Sequence, residues 1–280
     1  MNPDTVAVIG GGQMGAGIAQ GFLTAGSAVT VVETADPDAA RDRIARGLEG
    51  AAARGKLAAS VPDVLARLTV LAGISGLPTD TALVVEAVPE DPRLKASVLR
   101  DVESGIGPQS VLATNTSSLS VTELAAVLER PRRFLGMHFF NPVPASRLVE
   151  LVVAPDTDPD VVETARGWVD LLGKTGIVVK DSPGFASSRL GVLLGLEAIR
   201  MLEEGVADAE AIDTAMELGY RHPMGPLRST DLVGLDVRLA IAEYLSRTLG
   251  ERFAPPQLLR DKVAAGELGR KTGRGFHDYP

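Results

Sequence analysis

A chain of 280 residues, 45% hydrophobic and 23% charged, is long enough for one large or two modest cores and has the make-up of an ordinary folded protein. A net charge of −8 argues against nucleic acid or an anionic membrane surface as the main partner, while leaving room for a small anionic ligand met by a local basic patch. There is no cysteine, so disulfides, thiolate metal sites and a thiol nucleophile are excluded; the three histidines, His138, His222 and His277, lack the spacing of a metal pair, and no metal is expected.

The first element is a buried strand, Thr5–Ile9, running into Gly10-Gly-Gly12-Gln13-Met14-Gly15 and a helix over Met14–Thr24. Gly10, Gly12 and Gly15 have the spacing G-x-G-x-x-G: a tight turn, an open approach for backbone N–H groups to a pyrophosphate, and close packing of helix on sheet. A second apolar run, Ala28–Val32, ends at Glu33, where a carboxylate accepts ribose hydroxyls and repels a 2′-phosphate. Strand, turn, helix, strand and acid in that order predict a Rossmann-type nucleotide fold that binds NAD rather than NADP. Residues 5–32 carry no charge, yet their glycines and two glutamines argue against a leader or a membrane span, and a cytoplasmic protein is expected.

Helical periodicity continues from Pro37 to about Leu57, with Arg41, Arg43, Arg46, Arg54 and Lys56 on what reads as a solvated face; the alternative is that Arg54 or Lys56 holds a phosphate of a large anionic substrate. Val61–Arg67 predicts a short helix, Leu68–Leu71 a strand, and Leu83–Val88 a strand that brings Glu86 and Glu90 to the edge where open parallel sheets bind ligands. A helix over Leu94–Val102 and a strand over Val111–Thr114 follow. In the polar turn beyond, Ser120 and Glu123 form a capping box, which leaves Ser117 without a structural duty.

The strand opening at Phe134 delivers His138, two aromatics and Asn141 to the same edge. A neutral imidazole there is suited to take a hydroxyl proton while hydride leaves the same carbon. Leu148–Val153 is apolar around one carboxylate, Glu150, which a buried strand tolerates only when paired; His138 is the obvious partner. A helix over Val161–Leu172 and a strand over Gly176–Lys180 complete the alternating pattern. Beyond Asp181-Ser-Pro-Gly184 only helices are predicted: Gly184–Glu204, Ala207–Leu218, Ser229–Leu249 and Pro256–Ala265, then a basic glycine-rich tail. The expected fold class is therefore α/β, with an N-terminal mostly parallel sheet domain over 1–182 followed by an all-α C-terminal domain over 183–280. Val192, Leu193, Leu196, Ile199 and Met201 crowd more than one face of the long helix, so a homodimer through the helical domain is expected.

With these pieces in order the chain resembles the L-3-hydroxyacyl-CoA dehydrogenase family, in size and motifs the short bacterial 3-hydroxybutyryl-CoA dehydrogenases. The likeness is carried by Val-Ile-Gly-Gly-Gly-Gln-Met-Gly-Ala-Gly at 8–17, Val-Val-Glu-Ala-Val-Pro-Glu at 84–90 and Ala-Thr-Asn-Thr-Ser-Ser-Leu at 113–119. It runs on through Gly-Met-His-Phe-Phe-Asn-Pro-Val-Pro at 136–144, Lys-Asp-Ser-Pro-Gly-Phe at 180–185, His-Pro-Met-Gly-Pro at 222–226 and Gly-Arg-Lys-Thr-Gly-Arg-Gly-Phe at 269–276.

The resemblance implies reversible NAD-dependent oxidation of an (S)-3-hydroxyacyl-CoA, with His138 as base, Glu150 holding it, Ser117 hydrogen-bonding the reacting oxygen and Asn141 beside it. It implies that Glu33, Glu90, Lys95 and Lys271 touch the dinucleotide, and that the region of Arg54 and Lys56 binds coenzyme A phosphates. One position departs: Ser188 stands where the family has an active-site asparagine, so a water fills the gap or the acyl pocket is reshaped. Two other readings stay open: the same chemistry on a sugar acid or a carrier-protein-bound hydroxyacyl group, and a dinucleotide-binding protein that has retired from catalysis.

Overall fold

The structure, a computed structural model, describes residues 3–280, so the first two residues of the expected sheet domain lie outside it. The chain divides after Ser182 into two compact units.

The first unit alternates strand and helix. Its elements are β1 (Thr5–Ile9), α1 (Gln13–Thr24), β2 (Ala28–Val32), α2 (Pro37–Ala53), α3 (Val61–Leu65), β3 (Leu68–Leu71), β4 (Leu83–Glu86) and α4 (Pro92–Gly105). There follow β5 (Val111–Thr114), α5 (Val121–Ala125), β6 (Phe134–Phe139), β7 (Leu148–Val153), α6 (Pro159–Leu171) and β8 (Thr175–Lys180). They build one sheet in the order β3-β2-β1-β4-β5-β6-β7-β8. Pairing is parallel except between β6 and β7, which run antiparallel. Strand order reverses between β1 and β4, and the crevice at the carboxyl ends of those two strands is where such sheets take a nucleotide. Strands β1, β4 and β5 are apolar on both faces because helices cover both sides; Val6, Val8, Leu83, Val85 and Ala113 share one core with Ile18 and Phe22 of α1.

Several boundaries fall short of the sequence reading for local reasons. β4 stops at Glu86 rather than Val88, because the Glu86 carboxylate turns back to accept from the Val88 N–H at 2.7 Å and closes the strand. α2 ends at Ala53 rather than near Leu57, where Arg54 caps it and Gly55 takes a positive φ of 65°.

The second unit is helical: α7 (Ser187–Glu203), α8 (Ala209–Gly219), α9 (Pro226–Val233), α10 (Leu235–Leu249) and α11 (Gln257–Ala264). α7 starts at Ser187 instead of Gly184, because Gly184 and Phe185 hold positive φ angles of 75° and 48° that no helix accommodates. The helix expected over Ser229–Leu249 is two helices. Gly234, at φ 101°, breaks the ladder between α9 and α10, a conformation that an L side chain rarely adopts. The core of this unit joins Val192, Leu196 and Ile199 of α7 to Leu235, Leu245 and Leu259. The tail forms a 3₁₀ turn over Arg270–Thr272 and is clasped by buried Asp231, whose carboxylate accepts from the Phe276 and His277 N–H groups and the Tyr279 hydroxyl. No helix among the described residues is long and apolar enough to cross a membrane.

Candidate active site

The glycine turn after β1 is built by close approach. A Cβ at Gly15 would lie 1.8 Å from the Gly10 carbonyl oxygen, whereas one at Gly12 would meet nothing within 4 Å. The first position locks helix against turn; the second is open space at the amino end of α1. No side chain caps that end, so its N–H groups point outward with the helix dipole behind them, as an anion-binding terminus requires. Beside it lies a cavity of about 620 Å³ whose lining includes Gly12, Gln13, Met14, Glu33, Ile74 and Leu94. Apolar walls of this kind suit an adenine ring. The Glu33 carboxylate is fixed at its rim, accepting from the Gly11 N–H (Oε2, 2.9 Å) and the Ala35 N–H (Oε1, 2.9 Å), with acceptor capacity left for a diol. These residues fit a dinucleotide with a free 2′-hydroxyl. Arg43, expected on a solvated face, instead donates to the Gly11 carbonyl and braces the turn.

On the neighbouring part of the same rim, β6 and β7 are paired so that His138 and Glu150 are register partners. The His138 Nδ1 lies 2.8 Å from Glu150 Oε2, with the carboxylate fully buried and the histidine 6% exposed. An imidazole that donates from Nδ1 to a buried carboxylate keeps its lone pair on Nε2, the arrangement of a general base. The Phe140 ring tilts against the imidazole at a centroid distance of 4.4 Å. Asn141 follows at the strand end, where its Oδ1 accepts from the Gln13 Nε2 at 3.1 Å, joining the phosphate turn to the histidine strand.

Ser117 does have a structural tie, contrary to the sequence reading. Glu90 Oε1 accepts from the Thr116 hydroxyl (2.6 Å) and from the N–H groups of Ser117 (2.9 Å) and Ser118 (3.1 Å), and the Ser117 hydroxyl lies 3.3 Å from it. Burial by itself would raise the Glu90 carboxyl, but the Thr116 hydroxyl, the Lys95 charge and the Ser117 and Ser118 donors outweigh it and hold it below the usual carboxylate range.

Lys95 is 1% exposed and spends its ammonium on Glu86 (2.7 Å), Glu90 (3.3 Å) and the Val88 carbonyl (3.2 Å). Glu86, fully buried, completes the set by accepting from the Thr114 hydroxyl at 2.6 Å. In the helical unit, the Lys271 ammonium lies 2.6 Å from each carboxylate oxygen of Asp236. Both lysines expected to touch the dinucleotide are thus engaged by carboxylates of their own unit. Ser188 occupies the first turn of α7, partly buried.

Arg54 and Lys56 line a groove of about 720 Å³ together with Arg46, Lys174 and the Pro142–Ala145 segment. Four cations along one groove of an acidic protein form the local basic patch that a polyphosphate needs. Lys174 escaped the sequence reading because nothing in its neighbourhood marks it; it donates to the Val143 and Ser146 carbonyls and pins the loop that follows Asn141. Asn115 escaped as well, although an amide just beyond a strand on the ligand edge is a readable signal. Its Oδ1 accepts from the Phe139 N–H at 2.8 Å, fixing the backbone next to His138.

A nucleotide cradle and an imidazole–carboxylate couple on one sheet rim define the class: a dinucleotide-dependent oxidoreductase that takes hydrogen from an alcohol carbon. The comparisons narrow it. Residues 5–182 match the 3-hydroxyacyl-CoA dehydrogenase NAD binding domain, and residues 184–279 match the C-terminal domain of the same family. The chain is 42% identical over 280 residues to a 3-hydroxybutyryl-CoA dehydrogenase of Mycobacterium tuberculosis, covering 98% of each. It is 40% identical over 279 residues to a probable 3-hydroxybutyryl-CoA dehydrogenase of Bacillus subtilis, covering 98% of this chain and 96% of that one. The crystal structure of (S)-3-hydroxybutyryl-CoA dehydrogenase from Ralstonia eutropha superposes with a TM-score of 0.94 at 40% identity over 99% of both chains. The chain belongs to the 3-hydroxyacyl-CoA dehydrogenase family, and it is an NAD-dependent oxidoreductase of that family.

Proposed function

We propose that the protein interconverts an (S)-3-hydroxyacyl-CoA and the 3-oxoacyl-CoA, with 3-hydroxybutyryl-CoA, named for its relatives, as the first substrate to test. The balance is 3-hydroxyacyl thioester plus NAD to 3-oxoacyl thioester plus NADH and one proton. NAD, when bound, supplies the hydride acceptor. His138 takes the hydroxyl proton at Nε2, and Glu150, already bonded to Nδ1, stabilises the imidazolium without itself being protonated. Ser117, held in place through Glu90, donates to the reacting oxygen, and Asn141 orients cofactor and substrate from the strand end. Glu33 and the turn at Gly10, Gly12, Gln13, Met14 and Gly15 hold the adenosine diphosphate half. Lys95 acts on the dinucleotide through Glu90, whose position it fixes, and Lys271 is the further lysine that the family resemblance assigns to the dinucleotide. Arg54 and Lys56, with Arg46 and Lys174, bind the coenzyme A phosphates, while Ser188 in the helical unit meets the acyl chain.

The 2.8 Å contact between His138 and Glu150 carries this reading. The protein works in the cytoplasm as a homodimer through its helical unit, a reading supported by Leu190, Leu218 and Tyr220, which are 68%, 79% and 75% exposed there. The test is NADH formation from (S)-3-hydroxybutyryl-CoA, set against the same acyl group on an acyl carrier protein. Turnover confined to the carrier-bound substrate would refute the coenzyme A assignment, and NAD binding with no turnover of either would refute the dehydrogenase role.

A further inference from the structure

The connection between β6 and β7, residues 140–147, carries Asn141 and is held from outside by one side chain. Lys174 lies between Gly173, whose φ of 67° turns the chain out of α6, and Thr175, the register partner of Leu148. That register brings the lysine against the connection, where its Nζ donates to the Val143 and Ser146 carbonyls at 2.5 Å each. Val143 is buried against α1: a Cβ at Gly17 would lie 2.9 Å from the Val143 Cβ. Asn141, two residues earlier, accepts from Gln13 of α1 at 3.1 Å. The connection is thus seated on α1 at two points and clamped by Lys174 at two more.

Two carbonyls do not account for a lysine. A glutamine amide has two donors and could serve both without carrying a charge, whereas an ammonium has three donors and a full charge. Lys174 is half-buried and has neither a third acceptor nor a carboxylate partner among the described residues. Burial lowers its pKa, and no neighbouring acid works against that shift. The groove that it lines also presents Arg46, Arg54 and Lys56 and is lined by no aspartate or glutamate. A half-buried cation among three others is held at a cost that a bound anion removes. Of the four, Lys174 is the one bonded to the connection that carries Asn141.

We propose that Lys174 is a positioning residue through which a phosphate in the groove fixes Asn141. The anion accepts the third N–H, holds the ammonium on both carbonyls and so steadies the connection. This rests on the reading of the groove as the coenzyme A phosphate site. The phosphates of the carrier then raise kcat as well as affinity, because an interaction far from the reacting carbon is used to order a group beside it.

The test uses a thioester without phosphates, (S)-3-hydroxybutyryl-N-acetylcysteamine, with adenosine 3′,5′-bisphosphate supplied separately and NAD saturating. The bisphosphate is expected to raise kcat on this truncated thioester about fivefold or more, the lower end of coupling between two sites. It should do so at concentrations that compete with (S)-3-hydroxybutyryl-CoA. Lys174→Met should lose the activation and lower kcat on the coenzyme A thioester more than it raises KM, and Lys174→Arg should keep part of both. A bisphosphate that competes with the coenzyme A thioester yet leaves truncated turnover unchanged would overturn the inference and spare the parent reading, whether or not the methionine variant folds. A methionine variant that is still activated, or that changes only the KM for the coenzyme A thioester, would make Lys174 a plain phosphate contact and overturn it too. A bisphosphate that neither competes nor activates would remove the phosphate reading of the groove, and this inference with it.

Discussion

His138 and Glu150 face each other across the one antiparallel pairing of the sheet, so the contact between ring and carboxylate is set by strand register. A slip of one residue would send the two side chains to opposite faces. Replacing His138 by Gln is expected to lower kcat by about two to four orders of magnitude, the range general-base catalysis supplies. Glu150→Gln is expected to fall in the same direction, because the amide can present its NH₂ to Nδ1 and favour the wrong tautomer. NAD affinity, measured by fluorescence titration, should stay unchanged in both. A His138→Gln enzyme with normal kcat would remove the base from this position.

Glu33 serves two ends at once, closing the Gly11 and Ala35 N–H groups and presenting its remaining acceptor sites to the nucleotide cavity. Glu33→Ala is expected to weaken NAD by about tenfold to a hundredfold, the cost of losing hydrogen bonds to a charged group. NADP should lose less, since repulsion of its 2′-phosphate is removed at the same time. The ratio of the two KM values reads this directly, and an unchanged ratio would show that the carboxylate does not face the ribose.

Lys95 and Glu86 form an ion pair whose side chains are 1% and 0% exposed. Lys95→Met leaves a buried carboxylate without its counter-ion, which costs about 3–5 kcal/mol. In a protein of this size that lowers Tm by roughly 6–20 °C in the absence of cofactor. Combining it with Glu86→Gln should recover most of the loss. If Tm barely moves while the KM for NAD rises, the lysine contacts the dinucleotide directly instead.

Glu90 sets an acid limit. Its carboxyl is held below the usual range in the folded state, so it adds stability above the unfolded value near 4.3, and that stability is lost as pH falls through the lower folded value. Glu90→Gln should therefore melt below the unaltered protein at neutral pH, with the gap closing as pH drops below about 4. A gap that widened in acid would contradict the direction of the shift. At neutral pH the same variant should loosen the turn at Thr116–Ser118 and raise the KM for the thioester.

The sheet unit was legible because its signals are local. Ala28–Val32, Leu68–Leu71, Val111–Thr114 and Leu148–Val153 are strands with the residues read from apolar runs alone. The His138–Glu150 pair was legible because a lone carboxylate in an apolar strand demands a partner and few were on offer. Non-local partners were hidden. Nothing in the sequence places Lys174 beside Arg46, shows that Glu86 and Glu90 share Lys95, or reveals that Arg43 braces Gly11. The break between α9 and α10 was missed because the helical periodicity resumes straight after Gly234, and one glycine in an amphipathic run is weaker evidence than the run itself.

The reversal of β7 against β6 separates two tasks that proteins often entangle. His138 and Glu150 sit on hydrogen-bonded strands and draw nothing from the length of any connection. The basic groove beside Pro142–Ala145 is lined instead by Arg46 on α2 and by Arg54, Lys56 and Lys174 beyond helix ends. Descendants of this chain can therefore exchange one phosphate-bearing carrier for another by altering those outer parts, while the imidazole–carboxylate couple passes through unaltered.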